Sequence, residues 1–162
     1  AAHERVLYES IMQNLTNQSP AIQKLLWPET IQCNATDAVL LGEILPHLQY
    51  LGFDMEGFGH DSFIIHGIPA VMTDLISPKL AIEDILHRYK EDQQLSSMKP
   101  VARIATTLAS NLSRRRGEYM TTAEMQTLIE QLMATDNPYT SPSGRPTFIT
   151  LGKEEILRRF QS

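Results

Sequence analysis

Residues 52–68 read GFDMEGFGHDSFIIHGI, and this stretch decides the fold class. Aromatic and β-branched side chains stand on either side of Gly59-His60-Asp61, the composition of two strands joined by a tight turn. Working outward, residues 22–33 are extended and apolar but contain Pro28, which suits an edge strand or a loop leading into one. Between these two, residues 34–36 can cap a helix over about 37–51, strained or ended near Pro46. At the front of the chain, Leu7, Ile11 and Leu15 recur every fourth residue beside Tyr8 and Met12, a helix over 2–17 that Ser19-Pro20 ends. Beyond the hairpin, Ser77-Pro78 opens a helix to about residue 91. Val101, Ile104, Ala105, Leu108 and Leu112 mark a further one, stopped by Gly117. Thr121 and Glu124 form a capping box ahead of a helix whose stripe Met125, Leu128, Ile129 and Leu132 is expected to be buried. A loop over 136–144, a short strand over 147–151 and a terminal helix over 154–160 complete the pattern. Helices mixed with hairpin strands, without regular βαβ alternation, predict an α+β fold with mixed sheets covered by helices.

The 162 residues, 42% hydrophobic and 20% charged, fit one domain or two small subdomains and exclude a disordered or coiled-coil chain. No apolar run approaches the roughly 18 residues of a membrane span. A single cysteine, Cys33, excludes an internal disulfide and a Cys-rich zinc module, and makes a reducing cytoplasm the simplest home. The polar start is no signal peptide, and the absence of an initiator Met suggests a piece of a longer chain. The net charge of −5 is unevenly laid out: −1 over residues 1–33, −7 over 34–96 and +3 over 97–162. The positive third is concentrated at Arg114, Arg115 and Arg116 and at Arg158-Arg159. Solvated helix ends account for these, and the sharper alternative is a phosphate-contacting patch. No P-loop, GxGxxG or G-x-S-x-G appears, so nucleotide and acyl-transfer sites have no support.

Three stretches, AAHERVLYE at the start, GEYMTTAEMQTLIEQL over 117–132 and NPYTSPSGRPTFITL over 137–151, together resemble the C-terminal domain of the MutL family of DNA mismatch repair proteins. The resemblance implies a homodimer built from two subdomains. The dimerisation subdomain would comprise residues 1–22 and 109–162, with a regulatory subdomain, 23–108, inserted. It further implies a bacterial, cytoplasmic and nucleoid-associated protein that joins N-terminal ATPase domains through its dimer. Its partners would be a second copy, the replication sliding clamp, a mismatch-recognition protein through the full-length chain, and DNA weakly, with no membrane. The expected dimer face is Thr147, Phe148, Ile149 and Leu151 with the flanking helices, and the expected DNA contacts are Arg114, Arg115 and Arg116.

Many members of that family are metal-dependent endonucleases, and their motifs can be compared with this chain. Ala1, Glu4 and Glu9 match the end of the first motif, so Glu4 is the remnant metal candidate. Ala-Cys-Arg falls on Ala109-Ser110-Asn111. Cys-Pro-His-Gly-Arg-Pro falls on Ser141-Pro142-Ser143-Gly144-Arg145-Pro146, and the terminal Phe-Lys-Arg on Phe160-Gln161-Ser162. Zinc or manganese needs thiolate, imidazole or carboxylate donors, and a serine hydroxyl, neutral near pH 7, replaces them poorly. Glu4 and Glu9 lie about 140° apart around a helix and do not chelate one ion. Both read as solvated helix carboxylates. His3, His60, His66 and His87 have no ligand spacing. The expectation is a degenerate nuclease site, with no catalytic residue and no cofactor; zinc or manganese would matter only for the alternative, a nicking endonuclease with an altered ligand set. Gly144-Arg145-Pro146 reads as structural, with Arg145 free to pair with a carboxylate or phosphate.

A second motif survives better. Gln23-Lys24-Leu25-Leu26-Trp27-Pro28 resembles the Gln-x-x-Leu-x-Pro pattern by which such proteins bind the sliding clamp. Leu26 can fill an apolar pocket, Pro28 restricts the free chain and Gln23 anchors by hydrogen bonds. Trp27 either stays in the core or adds contact area.

Overall fold

The computed structural model describes residues 1–17, 20–72, 77–91, 97–114 and 117–160. Its elements are α1 (Ala2–Asn17), β1 (Ile22–Gln32), α2 (Ala35–Tyr50), β2 (Asp54–Gly57), β3 (Ser62–Pro69) and a 3₁₀ turn (Ala70–Met72). They continue with α3 (Pro78–Glu91), α4 (Pro100–Leu112), α5 (Thr122–Met133) and α6 (Lys153–Phe160). The fold is α+β, as the hairpin predicts. β2 and β3 are the two arms of that hairpin, and Gly59, at φ +80°, sits in its turn.

β3 is the centre of a three-stranded sheet ordered β1-β3-β2. Both neighbours run antiparallel to β3. β1 and β2 therefore point the same way on opposite sides of it, with α2 as the crossover between them. Mixed sheets were the expectation; the sheet is antiparallel throughout because β3 lies between the two strands that are parallel.

Local chemistry sets most element ends. The Asn34 side chain accepts a hydrogen bond from the Asp37 backbone N–H at 2.9 Å and caps α2. Pro46 does not end that helix: it lies on the exposed side, while Ala38, Leu41, Ile44 and Leu48 bury the opposite stripe across it. Packing on both sides of the proline outweighs the one backbone bond it removes. α4 ends at Leu112, short of Gly117, because the Arg114 N–H donates to His3 Nδ1 at 3.0 Å and leaves the helical ladder. The capping box of α5 is complete: Thr121 Oγ1 accepts from the Glu124 N–H and the Glu124 carboxylate accepts from the Thr121 N–H.

The core lies between the sheet and α2, α3 and α4, with Ile31, Met55 and Ile65 from the strands meeting Leu41, Leu48, Ile82 and Leu108. Each such fully buried side chain stabilises the fold by roughly 1.5–3 kcal/mol. α1 packs along α4 and contributes Ile11 to this core, and α5 leans on α1.

Two expectations fail at the far end of the chain. Of the α5 stripe only Leu132 is buried; Met125 and Ile129 are 45% and 52% exposed, because α5 packs mainly on α1 and turns these residues away from it. Residues 147–151 form no strand. Their backbone tie is the Thr147 N–H donating to the Tyr139 carbonyl at 3.1 Å, beside an isolated Thr140–Pro146 bridge. β-propensity makes a strand only where a partner strand is available to pair with it.

Candidate functional site

The docking motif occupies β1, and the ladder breaks inside it. From the pair Lys24–Gly67 to the pair Glu29–Ile65, five steps along β1 are matched by two along β3. Leu25 still packs against the core, and residues 26–28 bulge outward from an edge strand. Leu26 is 92% exposed and Trp27 82% exposed, and Pro28 is exposed beside them. Gln23 stays in register opposite Ile68 at the foot of the bulge. The foot is fixed across the sheet by the Lys24 ammonium paired with the Asp54 carboxylate. These two side chains meet over Gly67 of β3. A Cβ at Gly67 would lie 2.8 Å from Ile22 Cγ2 and 3.0 Å from the Gln23 carbonyl, so only glycine lets β1 approach this closely. The sequence shows the motif but leaves Trp27 undecided between core and surface. Gly67 inside a strand is the overlooked signal.

The remnant metal candidate has a different setting from the one expected. Glu4 is fully buried and Glu9 nearly so, which overturns their reading as solvated carboxylates. The reason is a loop, residues 138–146, folded over the first turns of α1. Arg5 Nε donates to the Thr140 carbonyl at 2.7 Å and Arg5 Nη1 to Glu9 Oε1 at 3.1 Å. Ser143 Oγ donates to Glu4 Oε1 at 2.8 Å, and Arg145 Nη2 to Glu4 Oε2 at 2.5 Å. Ser141 and Ser143 share a hydrogen bond at 2.9 Å, and Gly144, at φ +81°, makes the turn between Ser143 and Arg145. Glu4, Ser141, Ser143 and Arg145, scattered in sequence, thus form one cluster.

These residues do not fit a zinc or manganese centre. Both Glu4 oxygens already accept from protein donors, one of them a guanidinium that would repel a cation. The other groups at hand are neutral hydroxyls. Among the described residues, no three His, Cys, Asp or Glu side chains gather as a metal site needs.

Arg114 is engaged within the protein: its guanidinium donates to Glu124 at 2.6 Å and to the Tyr119 carbonyl at 3.1 Å. Arg115 and Arg116 lie outside the described residues. Hydrogen bonds from the Thr121 backbone and hydroxyl, and then from Arg114, hold the Glu124 carboxyl below its usual range. Burial, followed by the nearby Arg114 charge, pushes the His3 imidazole down. Of the expected dimer face, Ile149 and Leu151 are 74% and 49% exposed, while Phe148 is half-buried against the Tyr139 ring at 5.4 Å and Thr147 is held by the Pro138 carbonyl. Met125, Ile129 and Met133 of α5 and Ile156, Leu157 and Phe160 of α6 add exposed apolar surface in the same part of the chain. No described helix is long and apolar enough to cross a membrane.

Residues 1–120 match the family model described as MutL C terminal dimerisation domain. Three relatives named DNA mismatch repair protein MutL align over nearly all of the chain. That of Halothermothrix orenii is 32% identical over 96% of this chain and 24% of its own length. That of Flavobacterium johnsoniae is 33% identical over 98% and 24%, and that of Desulforamulus reducens 34% identical over 99% and 25%. The chain spans about a quarter of the length of these relatives.

Proposed function

The chain belongs to the MutL C-terminal dimerisation domain family of DNA mismatch repair proteins, and from that premise we propose that it works as a self-associating hub that also docks the replication sliding clamp. The observation that carries the reading is the apolar surface left uncovered beyond residue 120, on α5, α6 and residues 149–151. A two-fold pair needs one self-complementary patch, and Met125, Ile129, Met133, Ile149 and Leu151 supply the apolar area for it. In this reading 1–22 and 109–162 form the dimerising part, and 23–108, which holds the sheet and most of the acidic charge, is the regulatory insertion. Pairing of two copies would make the meeting of the ATPase domains elsewhere in the full-length protein effectively intramolecular, which strengthens their closure on DNA with no nucleotide site here. Light scattering on the chain at micromolar concentration tests the reading: a dimer is expected, and a monomer there would overturn it.

Clamp docking rests on the bulge of β1. Leu26 and Pro28 project from an edge strand, preformed for a shallow apolar pocket, with Gln23 at the foot. Replacing both Leu26 and Pro28 by Ala is expected to abolish clamp binding in surface plasmon resonance while leaving thermal unfolding unchanged. Full binding by that double variant would sink the docking role. Mismatch-recognition partners would engage the full-length chain, in the bacterial cytoplasm near the nucleoid, and DNA would be held weakly, with Arg114, Arg115 and Arg116 as its contacts.

The nuclease alternative would require Glu4 to leave Arg145 and Ser143. Mn²⁺ is therefore expected to leave the unfolding temperature unchanged, and a rise that grows with Mn²⁺ concentration would revive a metal site.

A further inference from the structure

We propose that two copies of the chain meet reciprocally, the apolar stripe of α6 in each copy lying on the apolar stripe of α5 in the other. The inference rests on the pairing reading above and deepens it, since that reading names a patch but not which element meets which.

A helix as short as α6 is marginal in water without packing, because nucleation costs more than so few backbone bonds return. Yet α6 buries no residue within its own copy. Ile156, Leu157 and Phe160 stand at i+3, i+4 and i+7 from Lys153 and share one face with it, at 42%, 48% and 86% exposure. The chain enters α6 through Gly152, which has open space where a side chain would stand. α5 has the matching need: Met125, Ile129 and Met133 recur every fourth residue and all three are exposed. One copy thus leaves both stripes in water, and neither covers the other there. Charge decides how they combine. α5 carries two carboxylates and no cation. Glu124 is taken up by Arg114, while Glu130, whose described partner is Gln126, lines the rim of the stripe. α6 carries three cations. Arg159 pairs with Glu155, and Lys153 and Arg158 have no carboxylate partner among the described residues. Laying α5 on the other copy's α5 would bring carboxylate toward carboxylate and leave α6 uncovered. Laying α6 on α5 brings its free cations to Glu130 and covers both stripes. Opposite charges across an interface favour the second arrangement and like charges count against the first. The contact then occurs twice about a two-fold axis, as an isologous pair requires.

Two double variants, sedimented alone and mixed, test this. One combines Ile129→Glu with Met133→Glu and spoils α5; the other combines Ile156→Glu with Phe160→Glu and spoils α6. None of the four residues is buried, so far-UV circular dichroism and unfolding temperature serve as controls of the fold. In reciprocal pairing each variant spoils both contacts of a pair with itself. A mixed pair keeps one contact intact, between α5 of the α6 variant and α6 of the α5 variant. The expected result is a dimeric parent chain and two variants that are each monomeric at micromolar concentration. Their equimolar mixture should associate at least about tenfold more tightly than either variant with itself. If the α6 variant pairs as the parent does, α6 lies outside the interface; the proposal falls and the pairing reading stands. A mixture that associates no better than its components overturns the proposal as well, because pairing of like with like allows no rescue. A parent chain that is itself monomeric removes the pairing reading and this inference with it.

Discussion

A carboxylate with no exposed surface must receive its hydrogen bonds from the protein, and Glu4 receives them from residues 139 and 141 positions away. This asymmetry decides which substitution hurts more. Arg145→Met takes the guanidinium away from the buried carboxylate and is expected to cost about 1–3 kcal/mol in urea unfolding. Glu4→Gln still offers an acceptor to one donor, and the 61%-exposed Arg145 side chain can return to water, so about 1 kcal/mol is expected. The reverse order would mean that the carboxylate, and not its pairing, is what the loop needs. His3 gives a pH test. Its pKa is lowered on folding from 6.5, so the unfolded chain takes up the proton first. Its contribution is complete above pH 6.5 and declines as pH falls from there toward the folded value. Unfolding measured between pH 7.5 and 5 should show this slope, and His3→Gln should flatten it. The residue types at these sites were legible in the sequence; their partnerships were not, because hydrogen bonds across most of the chain leave no local pattern.

At the scale of elements, the signals that succeeded were local ones. Asn34, the Thr121–Glu124 pair and Pro78 each act on the nearest backbone groups, so helix starts were readable. The signals that failed needed a neighbour. Periodicity along α5 correctly marks an apolar stripe but does not say what covers it, and residues 147–151 have strand composition without a strand beside them. Pro46 misled for the same reason: its cost is local, and the burial that outweighs it is not. β1 carries the sharpest test. Gly67→Ala would drive a methyl group into Ile22 and the Gln23 carbonyl, and is expected to destabilise the protein by about 1–3 kcal/mol. Hydrogen exchange should show the loss first in β1, at the foot of the docking bulge. Equal protection in the variant would mean that the strand can shift away at no cost.

For the whole molecule, the exposed apolar side chains of α5, α6 and residues 149–151 are what the proposed pairing would cover. Charging them should change assembly and little else. Ile129→Glu combined with Met133→Glu removes no core contact, so sedimentation should shift toward monomer at micromolar concentration with far-UV circular dichroism unchanged. A dimer that persists would place the self-complementary patch elsewhere. The loop over residues 138–146 has a further consequence, a mechanical one. Through Glu4 and Arg5 it joins the first turn of α1 to the segment that leads into α6. Tension applied at the start of α1 would therefore load these bonds directly, before it reached the sheet. The loop is a short load path between that helix end and the proposed pairing surface, and under a pulling force it should yield before the core does.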